Sequence, residues 1–143
     1  MYKPQMITWN DSLSTGDSSL DNQHRILFDT LNDLGRAIQM GDSAEVIGKI
    51  LGVLKFYASW HFQREEACFE QYQCPTADVN KKAHQNFVTT FDRLNQEYNK
   101  AGGSEALAIR VHEELTEWTY NHIVSVDTKL YPCIHRAQKP AAA

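Results

Sequence analysis

The chain has 143 residues, of which 42% are hydrophobic and 22% charged, and this size and composition predict one globular domain over residues 1–143. No run approaches the ~18 consecutive apolar residues of a membrane-spanning helix. The formal net charge is -4 and there is no Lys/Arg stripe, so the sequence indicates neither a nucleic-acid partner nor an anionic membrane. Residues 1–12 lack a basic region followed by an apolar run, and we therefore expect no secretory signal and a cytoplasmic protein.

The chain has three cysteines, Cys68, Cys74 and Cys133. Their odd number and the lack of a CxxC spacing argue against a disulfide framework and against a thiolate zinc site. We expect three reduced thiols, which agrees with a cytoplasmic location.

Four successive segments place apolar residues at steps of three and four, a pattern that predicts four helices. An irregular arm, residues 1–17, precedes them, and a tail, residues 131–143, follows Leu130 because Pro132 is expected to end the last helix. The Lys-Pro-Ala-Ala-Ala end of this tail is expected to be frayed. The helices are predicted at about 18–40, 43–72, 76–100 and 104–130. Long helices with short connections favour antiparallel neighbours. The predicted fold class is all-α, an antiparallel up-down-up-down four-helix bundle with an irregular N-terminal arm.

Each predicted helix has gaps in its apolar stripe, and these gaps are filled by residue types that bind metals. Buried imidazoles and carboxylates without partners would cost several kcal/mol each, so they must neutralise one another or hold a cation. In an antiparallel bundle the starts of the first and third helices lie beside the ends of the second and fourth, and at ~1.5 Å per residue the gaps fall in one layer. The residues in the gaps are His24, His61, Glu65, Asn80, His84, His122 and Asp127.

The spacing of the candidates within the second and fourth predicted helices indicates whether their side chains can reach one layer. His61 and Glu65, at i and i+4, point from one helix face. Asp127 follows His122 by five residues, which is about 140° around an ideal helix, so Asp127 needs a local distortion to reach the layer. Four other candidates are expected at the surface or in the tail: His112, His135, Glu66 and Glu70.

Imidazole and carboxylate ligands without thiolate suit iron, manganese or zinc. Four histidines and two carboxylates that can bridge predict two ions, with iron as the first choice. The predicted metal ligands are His24, His61, Glu65, His84, His122 and Asp127.

From Trp9 to about Cys133 these residues resemble the bacterial hemerythrins. The matching segments are Asp21-Asn22-Gln23-His24, His61-Phe62-Gln63-Arg64-Glu65-Glu66, His84 with Phe87, and Trp118 with His122-Ile123 and Asp127. The resemblance implies two iron ions in a non-haem di-iron centre, with bridging oxygen species, that binds dioxygen directly. It also implies three pairs of roles: His24 and His61 as ligands of the open, oxygen-binding iron, Glu65 and Asp127 as bridging carboxylates, and His84 and His122 as ligands of the second iron.

Asn80 departs from the family pattern, because it falls where the family has the first His of its HxxxH motif. An amide offers only its carbonyl oxygen, a weaker ligand for iron than imidazole, and a water could take the place instead. The second iron would then be labile or open.

The resemblance implies a protein that binds dioxygen reversibly, for carriage, storage or sensing, rather than an enzyme. A first alternative, favoured by Asn80, is a di-iron enzyme that reduces peroxide or oxygen or acts on nitric oxide. A second alternative is an iron store or a sensor module with a protein partner. The sequence does not indicate which protein partners it has.

Overall fold

The computed structural model describes residues 2–138, and all regular structure in this range is helical. The four long helices are α1 (Ser18–Met40), α2 (Ser43–Gln71), α3 (Ala77–Ala101) and α4 (Glu105–Ser125). Each packs against its neighbours in the order α1, α2, α3, α4 and back to α1, which confirms the predicted four-helix bundle. None of the helices within residues 2–138 has the length and apolar character needed to cross a membrane.

Side-chain caps fix the starts of α1 and α4. The carboxylate of Asp17 accepts a hydrogen bond from the backbone nitrogen of Leu20 at 2.9 Å, and the hydroxyl of Ser104 accepts one from Leu107 at 3.0 Å. Each cap satisfies a backbone N–H group that a helix start would otherwise leave unpaired, a contribution of about 1 kcal/mol. Gly41 ends α1 with φ at 81°, a left-handed conformation that glycine adopts without strain. Because the caps fix the residues at which α1 and α4 begin, they also fix how far along the bundle the interior residues of these helices lie.

The buried apolar residues form two clusters with a polar layer between them. The larger cluster fills the body of the bundle, and the smaller one lies at one end and consists of Leu20, Cys68, Phe69, Cys74, Leu130, Cys133 and Ile134. On α1, His24 lies between Leu20 of the smaller cluster and Leu27 of the larger. On α2, Glu65 lies in the same way between Phe62 and Cys68. Polar side chains at this level are therefore shielded from solvent on both sides.

The end of the chain differs from its prediction as a helix to residue 130 followed by a tail. Helix α4 ends at Ser125, and a 3-10 turn (Asp127–Lys129) leads into a further helix, α5 (Leu130–Gln138). Pro132 does not prevent this helix, because it lies in the first turn, where a missing N–H group costs nothing. Leu130 and Ile134 are buried in the smaller cluster. The tail prediction is thus wrong for residues 131–138, and residues 139–143 lie outside the described range.

The expectation of three reduced thiols is also wrong. Cys74 and Cys133 form a disulfide with their Cα atoms 5.6 Å apart, and Cys68 is buried with a free thiol. The two paired cysteines are 59 residues apart in sequence, and they meet only because α5 folds back onto the turn between α2 and α3. The bond therefore ties α5 to the end of the bundle.

The N-terminal arm packs across α1 and α4. Ile7 and Asn32 exchange two hydrogen bonds, of 3.0 and 2.8 Å, and the Tyr2 hydroxyl lies 2.8 Å from Nδ1 of His112. His112 is buried, contrary to its expected place at the surface, and burial lowers its pKa. Gly35 allows the close approach of the arm, because a Cβ atom there would lie 3.0 Å from Nε2 of His112 and 3.2 Å from Cβ of Pro4.

Candidate metal centre

The six residues predicted as metal ligands converge in the polar layer. Each is 6% exposed or less. They form two groups that share Glu65, and within each group one candidate ligand atom per residue lies within 4.8 Å of the others. The groups are His24, His61 and Glu65, and Glu65, His84, His122 and Asp127.

Glu65 stands between the two groups and directs one carboxylate oxygen to each. Its Oε2 lies 2.9 Å from Nε2 of His24 and 3.0 Å from Nε2 of His61. Its Oε1 lies 2.9 Å from Nε2 of His84 and 3.6 Å from Nε2 of His122. This is the arrangement of a carboxylate that can bridge two cations.

Asp127 divides its oxygens in the same way. Oδ2 lies 3.1 Å from Nε2 of His24, and Oδ1 lies 2.8 Å from Nε2 of His122. The 3-10 turn that begins at Asp127 supplies the local distortion that its spacing from His122 requires. Two carboxylates therefore lie side by side between two imidazole pairs.

The contacts of Asp127 test whether the residues fit a cation. Oδ2 of Asp127 and Nε2 of His122 are buried without a hydrogen-bond partner, although each has an atom of opposite polarity within 3.1 Å. Side chains that approach closely but do not point at each other are suited to share a third, central atom. Imidazole nitrogens with carboxylate oxygens are the ligands that non-haem iron and zinc use. The residues fit a pair of such ions.

Asn80 lies on the side of His84 and His122, as its position in the stripe predicted. It is completely buried, and its Nδ2 donates hydrogen bonds to Oε1 of Glu65 at 2.7 Å and to Oδ1 of Asp127 at 3.1 Å. Its Oδ1 has no partner. A half-turn of the amide would exchange the two atoms and direct Oδ1 into the layer.

Two hydrogen-bond partners of the imidazoles were not predicted. Oε1 of Gln23 accepts a hydrogen bond from Nδ1 of His61 at 2.6 Å, and Oε2 of Glu66 accepts one from Nδ1 of His84 at 2.9 Å. Glu66 had been expected at the surface, yet its side chain is only 25% exposed because it reaches across to α3. The sequence does mark Gln23 and Glu66 as candidates, because each is next to a predicted ligand. Histidines that bind a metal commonly donate their second N–H group to a carboxylate or carbonyl oxygen.

The other outlying candidates lie at the surface, as expected. Glu70 is exposed and pairs with Lys81 at 3.2 Å, and His135 is exposed on α5.

The electrostatics of the layer favour positive charge at its centre. Burial acts to lower the pKa of His24, but the carboxylates of Asp127 and Glu65 raise it to about 10. Burial likewise opposes the charged form of His122, and Asp127 with Glu65 raises its pKa to about 9. Burial acts to raise the pKa of Glu65, but the imidazoles, His61 first among them, hold it well below its ordinary value. In the metal-free protein, protons on His24 and His122 offset the negative charge of Glu65 and Asp127. A bound cation would offset the same negative charge.

Aromatic rings cover the layer on its inner side. Phe62 stacks on His84 with ring centroids 3.8 Å apart, and Trp118 stacks on His122 at 4.5 Å. Both rings also line a small apolar cavity within the larger cluster, with room for about one water-sized molecule. The remaining lining residues are Leu27, Leu31, Leu54, Ala58, Phe87, Leu115 and Thr119.

Comparison with known proteins indicates the family of this chain. Residues 15–134 match the Hemerythrin HHE cation binding domain. The chain is 28% identical over 121 residues to a bacteriohemerythrin of Pseudomonas aeruginosa, a match that covers 85% of this chain and 76% of that protein. It is 29% identical over 134 residues to a bacteriohemerythrin of Methylococcus capsulatus, covering 90% and 97%, and 26% identical over 126 residues to hemerythrin subunit 1 of Golfingia vulgaris, covering 88% and 91%. Because the domain match spans most of its length, the protein belongs to the hemerythrin HHE cation-binding family.

Proposed function

We propose that this protein holds two non-haem iron ions in the polar layer and binds dioxygen reversibly there. The observation that carries the proposal is the division of both carboxylates: Glu65 and Asp127 each present one oxygen to each of two imidazole pairs. A single ion would need carboxylate oxygens directed at only one of the two imidazole pairs. The relatives named hemerythrin and bacteriohemerythrin support iron as the metal and dioxygen as the ligand.

In this proposal each side chain has a defined role. Glu65 and Asp127 would help to hold both ions, His24 and His61 would hold one of them, and His84 and His122 would hold the other. Asn80 completes the second position through Oδ1 once its amide turns, which also gives that buried oxygen a partner. An iron pair held by these residues would supply the electrons for reversible binding of dioxygen.

The surroundings of the layer suit a binding protein. The cavity beside Phe62 and Trp118 is lined by apolar side chains and one threonine, so it admits a small apolar molecule more readily than it holds water. Exclusion of water protects a bound reactive ligand from side reactions. The alternative of an enzyme with an open second position is not favoured, since the buried side chain of Asn80 already occupies that position.

Oxygen cycling of the iron-loaded protein tests the proposal. Anaerobic protein reconstituted with ferrous iron should develop a visible absorption band in air and lose it again under argon, over repeated cycles, with no loss of iron. Glu70→Gln, which changes an exposed carboxylate one turn beyond the site on α2, serves as the matched control for Glu65→Gln. A band that never reverses, or a Glu65→Gln variant that cycles like the control, would contradict reversible binding at this site.

A further inference from the structure

The four imidazoles of the layer differ in what their outer nitrogens meet. Nδ1 of His24 and Nδ1 of His122 are buried without a partner. Nδ1 of His61 donates to the neutral amide of Gln23, whereas Nδ1 of His84 donates to the carboxylate of Glu66. Among these four histidines, only His84 is hydrogen-bonded at its outer nitrogen to a charged group.

His84 is held from two directions. The carboxylate of Glu66 lies 2.9 Å from Nδ1, and the ring of Phe62 stacks on its face at an interplanar angle of 11°. Because a carboxylate only accepts, the hydrogen bond keeps a proton on Nδ1 and leaves Nε2 for the interior. Nε2 lies 2.9 Å from the Oε1 atom of Glu65 that faces the same side. The ring therefore enters the layer in one orientation, with Nδ1 toward Glu66 and Nε2 toward the interior.

His84 lies on the same side of the layer as Asn80, with Nδ2 of Asn80 3.5 Å from Nε2 of His84. An amide oxygen is a weaker ligand than an imidazole for a divalent first-row metal, so the ion on this side has the poorer set of ligands. A carboxylate that accepts the outer N–H of an imidazole increases the basicity of the inner nitrogen. Glu66, the charged partner, is thus bonded to the histidine on the same side as the weak ligand Asn80.

We propose that Glu66 is a positioning residue that strengthens His84 as a ligand and so offsets the weak ligand Asn80 at the second metal position. The inference rests on the proposed two-ion centre and concerns how that centre keeps its second ion. It assigns the effect to the negative charge of Glu66, because a neutral acceptor such as the one at Gln23 would orient the ring equally well.

The test is a stepwise metal titration that separates charge from hydrogen bonding. Metal-free protein is titrated with Zn²⁺ in competition with a chromophoric chelator, for the parent chain, Glu66→Gln and Glu70→Gln. Glu66→Gln keeps an acceptor and removes the charge, while Glu70→Gln removes an exposed charge one turn along the same helix, where Glu70 pairs with Lys81. We expect Glu66→Gln to weaken one of the two binding steps by about 10- to 100-fold, the usual effect of losing such a partner, and to leave the other step unchanged. Glu70→Gln should match the parent in both steps.

A second readout excludes a merely structural effect. In the zinc-loaded protein the proton on Nδ1 of His84 should give a strongly downfield NMR signal in the parent, and this signal should move upfield in Glu66→Gln, while the metal-free proteins unfold at the same temperature. A parent that takes up one Zn²⁺ contradicts the two-ion proposal, and the inference falls with it. A parent that takes up two, with Glu66→Gln as tight as Glu70→Gln in both steps, overturns the inference alone.

Discussion

At the scale of single residues, Asn80 is the side chain that most distinguishes this site. Its amide nitrogen bonds to both carboxylates, and its carbonyl oxygen is buried without a partner. A buried acceptor without a partner costs about 1 to 3 kcal/mol, so the amide gains when its oxygen meets a cation. Asn80 thereby stabilises the metal-free site through its nitrogen, and in the proposed loaded site it would act through its oxygen.

Replacing Asn80 with His should place an imidazole four residues before His84 on the same helix face, directed at the same ion. Because changes even in the partners of ligands alter metal affinity by about 10- to 100-fold, the added ligand should tighten the second metal position at least about tenfold. The oxygen-induced absorption band should then bleach more slowly, and the protein should consume less peroxide at matched iron content. Asn22→His, an exposed position on α1, is the control. If Asn80→His binds the same iron and neither rate changes, the amide of Asn80 is as good a ligand as an imidazole at this position, and the expectation of a weak second position is wrong.

The stability of the metal-free protein should depend on pH in a direction set by His24 and His122. Their pKa values are raised from 6.5 to about 10 and about 9, so their charged forms favour the folded state. This stabilisation is complete below pH 6.5 and is lost as the pH rises through 9 to 10. The lowered pKa of Glu65 acts oppositely, stabilising the fold above pH 4.5 and less as the pH falls. The metal-free protein should therefore be most stable between about pH 4.5 and 6.5.

Urea unfolding at pH 6, 8 and 9.5 measures this dependence, with zinc-loaded protein as the control because its ligand imidazoles are already deprotonated. We expect the free energy of unfolding to fall with rising pH in the metal-free protein but not in the loaded one, whose histidines take up protons at pH 6 only on unfolding. A metal-free protein whose stability stays level or rises from pH 6 to 9.5 would show that the carboxylates do not hold protons on these histidines.

At the scale of helices, the sequence predicts the long elements well and the end of the chain badly. The predicted bounds of the first three helices agree with α1, α2 and α3 to within one residue, because apolar periodicity and glycine or proline breaks are local signals. Helix α5 is missed because Pro132 indicates a helix end as readily as a helix start, and only tertiary packing of Leu130 and Ile134 decides between them. The 3-10 turn before α5 is the part of this segment that is most important for the site, because it brings Asp127 into the polar layer.

The disulfide should stabilise this end of the molecule. It closes a loop of 59 residues, for which loss of chain entropy in the unfolded state predicts about 4 kcal/mol, and typical values are about 2 to 4 kcal/mol. A thiol reductant should therefore lower the urea midpoint of the metal-free parent and leave that of a Cys74→Ser, Cys133→Ser double variant unchanged. Equal unfolding curves of the parent with and without reductant would mean that the bond contributes nothing to stability.

At the scale of the whole molecule, the polar layer between two apolar clusters explains both what the sequence predicts and what it misses. The seven polar residues in the apolar stripes could be found because polar residues interrupting a buried stripe are visible in each helix separately. The place of Glu66 and Gln23 beside predicted ligands marks them as candidates, but does not show which histidine each one meets. That choice, and the pairing of Cys74 with Cys133, could not be predicted, because each contact joins two elements whose relative rotation no local pattern specifies. Composition and periodicity thus locate the layer, and the packing of the bundle determines its contacts.

A crystal structure of the iron-loaded protein, measured at the iron absorption edge, tests the central claim of two ions in this layer most directly. We predict two anomalous peaks per chain, one beside His24 and His61 and one beside His84 and His122, with an oxygen of Glu65 and of Asp127 directed at each. A single peak at full iron loading, or two peaks that do not share these carboxylates, would contradict the account.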